Sequence, residues 1–228
     1  MRLGILGGMG PMATSDFFKK VIDLTHATKD QEHIHVLIDN NTEIPDRTNF
    51  ILNHGENPGR EMIRSAIKLE MMGADVLVMP CNTAHYFYSD IDEFTDIPVI
   101  NMIEETAHYV LEKMPDQKQF LLLATTGTYE SKVYKKVFES NGLSLVEPDE
   151  NGKNEVMKWI YDVKAGVCDY RENDISAAID QFSLGTDIPV ILGCTELPVL
   201  IQMLNIKGKF IDPTNVLASK CVAYSLEA

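Results

Sequence analysis

Short apolar runs rich in Val, Ile and Leu alternate along the chain with longer stretches in which apolar side chains recur every three or four positions. The runs predict strands over residues 3–7, 34–40, 75–80, 97–100, 120–124, 143–147, 188–193 and 209–212. The longer stretches predict helices over 11–29, 57–72, 102–114, 128–140, 152–164, 171–184 and 214–225. The first shows the pattern, with Phe17, Phe18, Val21, Ile22 and Leu24 at helical spacing. Strands that alternate with helices in this way predict an α/β protein with mostly parallel sheets.

The pattern also repeats. Gly4-Ile5-Leu6-Gly7-Gly8-Met9-Gly10, followed by a helix with Phe17, Lys19 and Lys20, matches Leu121-Leu122-Leu123-Ala124-Thr125-Thr126-Gly127, followed by a helix with Tyr134, Lys135 and Lys136. Further on, Val76-Leu77-Val78-Met79-Pro80-Cys81-Asn82-Thr83 matches Pro189-Val190-Ile191-Leu192-Gly193-Cys194-Thr195-Glu196. After each cysteine another strand-like tract follows, Ile97 to Asn101 and Lys209 to Pro213. Three matches in the same order at similar spacing point to two related α/β lobes. Ligands of open parallel sheets sit beyond the carboxyl ends of strands, where both cysteines fall, so a cleft between the lobes would hold Cys81 and Cys194 face to face.

Two such thiols suit inversion at carbon. One base removes an α-proton from one face while an acid delivers a proton to the other. An unperturbed thiol is only about 3% ionised at neutral pH, and a helix N-terminus just past Cys81 or Cys194 would raise that fraction. Asn82, Thr83 and Thr195 are cap residues and carboxylate hydrogen-bond donors. A single buried cysteine is usually inert packing, the reading kept for Cys168 and Cys221; the duplicated context singles out the other pair.

Composition narrows the partners. With 228 residues and 45% hydrophobic content the chain can bury a substantial core, and a formal charge of −14 argues against nucleic acid or an anionic membrane as partner. Any anionic substrate must then be gathered by individual cations. Arg47, in the polar loop Asn40 to Arg47 beyond a strand, fits as a forked clamp for a carboxylate, and Lys164 at a helix end is a second cation. On spacing alone, either is more often a solvated surface charge. The four cysteines are too dispersed for a metal site and none forms Cys-x-x-Cys. The opening apolar stretch breaks at Gly7-Gly8 and the longest apolar runs are strand-length, so a cytoplasmic protein with reduced thiols is expected.

Taken together, Leu6-Gly7-Gly8-Met9-Gly10-Pro11, Pro80-Cys81-Asn82-Thr83-Ala84-His85 and Leu192-Gly193-Cys194-Thr195-Glu196-Leu197 resemble the PLP-independent aspartate/glutamate racemases, nearest the aspartate racemases. The likeness runs from residue 1 to about 225. It implies two pseudo-symmetric parallel-sheet lobes with helices on both faces and an active site between them, a mechanism that uses no cofactor, and a homodimer. It also implies that the last helix returns to the first lobe, giving 1–98 plus 207–228 and then 99–206. By the same resemblance Cys81 and Cys194 are the two catalytic groups, and Arg47 and Lys164 grip the distal carboxylate of aspartate. Asn82, Thr83, Thr125 and Thr195 lie near the α-carboxylate, and Met9 lines the pocket. Glutamate racemases tend to carry an acidic residue in the first glycine loop and His after the second Cys-Thr. Here Gly8-Met9 and Glu196 stand instead, which favours interconversion of L- and D-aspartate over glutamate. Glu196 either tunes Cys194, contacts the substrate ammonium or caps a helix; His85 either supports Cys81 or is structural.

Other readings remain. A relative acting on glutamate or a broader amino-acid range is one, and hydantoin racemisation, maleate isomerisation or malonate decarboxylation on the same scaffold are others. A non-catalytic amino-acid binder is further off, because both cysteines are kept. A nucleotide-binding oxidoreductase would explain the first glycine loop and Asp39, but the spacing lacks Gly-x-Gly-x-x-Gly and the paired cysteines would go unexplained.

Overall fold

The computed structural model describes residues 1–227. Eight strands form two four-stranded, all-parallel sheets. The first contains β1 (Arg2–Gly7), β2 (His35–Asn40), β3 (Val76–Val78) and β4 (Val99–Ile100) in the order β2-β1-β3-β4. The second contains β5 (Gln119–Ala124), β6 (Ser144–Val146), β7 (Val190–Gly193) and β8 (Phe210–Ile211) in the order β6-β5-β7-β8. The two orders are identical once the second set is renumbered, so the repeat in the sequence is a repeat of topology.

Each predicted strand is present. The helices are α1 (Pro11–Leu24), α2 (Arg47–Asn53), α3 (Gly59–Met71), α4 (Tyr88–Glu93), α5 (Met102–Lys113), α6 (Thr126–Ser131), α7 (Val133–Ser140), α8 (Glu150–Lys164), α9 (Glu172–Phe182), α10 (Glu196–Met203) and α11 (Pro213–Glu227). Three differences from the sequence expectation matter. The helix expected over 11–29 ends at Leu24, where Thr25 takes extended backbone and its hydroxyl bonds back to the Val21 carbonyl. The helix expected over 128–140 is two helices, broken at Lys132, which adopts a left-handed φ of 57°. Three short helices, α2, α4 and α10, went unforeseen because each has too few turns to display a periodic face.

Alternation within the strands explains the layers. Leu3, Ile5, Val76 and Val78 face Phe17 and Val21 of α1 and Leu217, Ala218 and Cys221 of α11, while Leu6, Leu77 and Met79 face Met62, Ala66 and Leu69 of α3. In the second sheet Leu121, Leu123, Val190 and Leu192 face α8, α9 and α10. Phe120, Leu122 and Ile191 face α5 and α7. Both sheets are therefore covered on both sides, as all-parallel sheets require. Two strands sit across the expected lobe boundaries. Val99–Ile100 hydrogen-bonds to β3 in the first sheet, and Phe210–Ile211 hydrogen-bonds to β7 in the second, while α11 beyond it packs on the first. Ala228, the last residue of the expected 207–228 segment, lies outside the described residues. Lys20 fastens α1 to the turn between β8 and α11 through Asp212 and Thr214, both at 2.7 Å.

The lobes meet closely. A Cβ on Gly127 of α6 would lie 2.7 Å from Thr48 Oγ1 and 3.0 Å from Thr48 Cα on α2, so only glycine lets these helices approach. Gly127→Ala is expected to cost a net 1 to 2 kcal/mol, roughly, the overpacking outweighing the gain in helix propensity. A urea denaturation midpoint lower than wild type checks this, and an unchanged midpoint contradicts it.

Candidate active site

β3 and β7 hold equivalent places in the two sheets, and the chain leaves the carboxyl end of each directly into a cysteine. Cys81 and Cys194 are both 8% exposed and both line one small cavity. Its other walls include Met9, Arg47, Asn82, Thr83, Thr125, Lys164 and Thr195, so the residues that the resemblance assigned to catalysis and substrate binding come to one place, while His85 lies outside the wall. Asp46, Thr48, Met157, Ile160, Tyr161 and Glu196 complete it. The interior is about 30 Å³, room for two or so ordered waters. Neither an amino acid nor a dinucleotide fits there without the walls moving apart. The first glycine loop has a packing role instead: Gly8, at φ +91°, lies where a Cβ would fall 2.2 Å from the Asn41 carbonyl oxygen, and its N–H donates to Thr14 Oγ1 at 2.9 Å.

On the first-lobe side, Cys81 opens a short 3-10 turn over Thr83–Phe87. His85, on that turn, donates from Nδ1–H to the Cys81 carbonyl at 2.9 Å, and its Nε2 accepts from Met102 N–H, the first residue of α5, at 3.1 Å. Because Met102 can only donate, the proton must sit on Nδ1 and the imidazole is neutral. Burial lowers the His85 pKa to about 4, with the bond to the Cys81 carbonyl opposing it. His85 thus holds the backbone of Cys81 against α5.

Two polar contacts join this segment to the other lobe. Thr83, Thr125 and Thr128 form a closed triangle of buried hydroxyls with sides of 2.9 to 3.0 Å. Thr125 also caps α6, accepting from Thr128 N–H. Tyr134 of α7 donates to Asn82 Oδ1 at 2.5 Å.

On the second-lobe side, Cys194 Sγ–H donates to Glu196 Oε2 at 2.9 Å and Thr195 Oγ1–H donates to the same oxygen at 3.0 Å. Lys164 Nζ lies 3.9 Å from Glu196 Oε1. The sequence expectation that a helix start would ease ionisation does not hold for Cys194. Burial first, then the Glu196 charge, push its thiol well above the ordinary range, although Lys164 pulls the other way. Cys194 rests protonated. Partial burial works against the charge on Lys164, yet the anionic groups it faces, Cys194 once ionised and Glu196, outweigh it and hold its pKa above the usual lysine value.

Arg47 begins α2, whose N-cap Asp46 accepts from Asn49 N–H at 2.6 Å. Its guanidinium reaches the carbonyls of Ile44 (3.4 Å), Pro45 (3.1 Å) and Met9 (3.4 Å). Arg47 Nε and Asn82 Nδ2 are buried and lack hydrogen-bond partners among the described residues. Buried donors are rarely left so, and in a cavity wall two of them mark places for acceptor atoms of a ligand.

Glu196 was legible only as an ambiguous helix-start carboxylate; the structure adds its bond to Cys194. Tyr134 entered only as a mark of the repeat, because nothing local ties it to Asn82, 52 residues away. Cys221 is buried in the first-lobe core, which pushes its thiol up to about 12, and Cys168 packs partly buried beside α8 and α9.

The sequence pattern of the Asp/Glu/hydantoin racemase family matches residues 6–221. The chain belongs to this family of isomerases. It is 30% identical over 227 residues to the broad specificity amino-acid racemase RacX of Bacillus subtilis, covering 97% of this chain and 96% of that one. The aspartate racemase of Picrophilus torridus shares 30% identity and superposes with a TM-score of 0.78 over 99% of this chain and 94% of its own. Glutamate racemase from Campylobacter jejuni, at 18% identity, shares the fold with a TM-score of 0.65 over 100% of this chain and 85% of its own. Among the described residues no helix is long and apolar enough to cross a membrane.

Two outcomes follow from the electrostatics. Glu196→Gln removes a charge that opposes the Cys194 thiolate, so the ultraviolet thiolate absorbance of that residue is expected to appear at lower pH than in wild type. His85 binds a proton more readily unfolded than folded, so its contribution to stability is full above about pH 6.5 and is lost as pH falls toward 4, about 3 kcal/mol in all. His85→Asn is expected to flatten stability against pH in that window, measured by denaturant unfolding at a series of pH values.

Proposed function

We propose that this chain is a cofactor-independent amino-acid racemase that interconverts L- and D-aspartate by proton transfer between two cysteines. The observation that carries the reading is the cavity itself: equivalent strands of two equivalent sheets bring a thiol each to one enclosed space, beside two buried donors without partners among the described residues. With Cys81 as the thiolate, it takes the α-proton from one face and becomes a thiol. Cys194, resting protonated, gives its proton to the opposite face and becomes a thiolate. The reverse pairing serves the other enantiomer. Charge that develops on the α-carboxylate in between is met by Asn82 Nδ2–H, while Thr83, Thr125 and Thr195, their hydroxyl protons committed to one another, to Thr128 and to Glu196, form the wall near that carboxylate. Glu196, bonded to Cys194, is a station through which that thiol can be reset.

Arg47 and Lys164 are assigned to the distal carboxylate, and Met9 to the wall beside it. A second reading, a broader amino-acid range, is supported by how those cations are already engaged. Arg47 spends N–H donors on three backbone carbonyls and Lys164 faces Glu196, so fewer of their donors are left for a side-chain carboxylate. The homodimer belongs to the same family likeness, and the cytoplasmic setting to the strand-length apolar runs and dispersed cysteines of the sequence; light scattering tests the former.

Incubation of purified protein with single enantiomers, without PLP, should bring L- or D-aspartate to equal amounts by chiral chromatography; absence of inversion for every amino acid tried would sink the reading. Cys81→Ser and Cys194→Ser are each expected to lower racemisation by roughly 10² to 10⁴. In deuterated water each should retain α-proton exchange from one enantiomer only, and symmetric exchange in both contradicts the two-base assignment. Arg47→Lys is expected to slow aspartate far more than alanine if the clamp is selective, because an ammonium cannot replace a planar fork. Equal losses on both substrates favour the broader range.

A further inference from the structure

Tyr134 lies outside the cavity wall and takes no part in the proton transfer. It is 1% exposed in the second-lobe core, its ring 5.8 Å from that of Phe138, yet its hydroxyl reaches across the lobe boundary to Asn82. Asn82 is 3% exposed and lines the cavity. A side-chain amide carries an acceptor at one end and a donor at the other, and half a turn about its last bond exchanges them. With Oδ1 held by the phenol, Nδ2 is the atom left for a ligand, and it is the one with no partner among the described residues. The opposite orientation would turn a carbonyl oxygen toward a substrate carboxylate, which repels it. Burial keeps the phenol protonated and so able to donate at any working pH.

We infer that Tyr134 is a positioning residue for the substrate: by donating to Asn82 Oδ1 from the opposite lobe it fixes the amide so that Nδ2–H meets the α-carboxylate. This rests on the racemase reading given above. It also gives the contact between lobes a chemical task, because the amide is aligned only while the second lobe supplies the phenol.

The test is a double-mutant cycle on kcat/KM for aspartate with wild type, Tyr134→Phe, Asn82→Ala and the double variant. Tyr134→Phe keeps the ring and its packing. It is expected to lower kcat/KM about tenfold in the wild-type background and less than twofold when Asn82 is already alanine. A loss of the same size in both backgrounds shows a packing role and overturns the inference, as does no loss in the wild-type background. A second measurement needs only wild-type protein: the side-chain amide resonances of Asn82 should shift on saturation with aspartate, and their indifference overturns the inference even if Tyr134→Phe does not fold. Failure of the racemase reading is separate and visible, since wild-type protein would then invert no amino acid and the role of Tyr134 would fall with it. Inversion by wild type combined with a neutral Asn82→Ala removes Tyr134 alone.

Discussion

The polar seam between the lobes is the constraint on which the rest depends. Thr83, Thr125 and Thr128 bond one another in a buried triangle, and Asn82 accepts from Tyr134, so all five of these residues are bound across the boundary. A buried hydroxyl or amide without a partner costs about 1–3 kcal/mol, so sliding one lobe over the other would leave several such groups orphaned at once. The close approach of Gly127 to Thr48 holds the same boundary from the side of α2. Two separately stable sheets thereby acquire a fixed separation, and the space between their cysteines becomes a cavity with a definite shape.

Within that cavity the two thiols are similar in origin and different in surroundings. Cys81 is followed by an uncharged turn whose histidine is neutral and committed to backbone partners, whereas Cys194 is followed by a carboxylate that accepts its proton and by a lysine that answers the carboxylate. Duplication supplied the symmetry that inversion of a stereocentre needs. Divergence after each cysteine then separated the electrostatics of the two ends, so the halves of the reaction need not be equivalent in energy.

The acidity of the whole chain poses a problem that this arrangement answers locally. A protein with a formal charge of −14 repels anions at long range, and screening confines that repulsion to about 8–10 Å at ordinary ionic strength. Inside the cavity Arg47 and Lys164 stand in the wall with the carboxylates of Asp46 and Glu196 and with uncharged donors. Arg47 is held by backbone carbonyls rather than by an acid, and among the described residues no carboxylate lies at hydrogen-bonding distance from it.

Much of this was legible in one dimension. Eight strands followed from their β-branched runs, and the long helices from periodic faces such as Phe17, Val21 and Leu24, because both signals are local. The duplicated context of Cys81 and Cys194 pointed to the pair before any coordinates, since two strands of equal place in a repeated fold must end alike. Short helices such as α2 and α10 escaped, as did the break at Lys132. What the sequence by itself determined was the layering, the repeat and the identity of the two cysteines. Only the tertiary structure decided the proton on His85, the rise in the Cys194 pKa and the bond from Tyr134 to Asn82. Those depend on burial and on partners brought together from distant parts of the chain, and neither leaves a mark on the spacing of neighbouring residues.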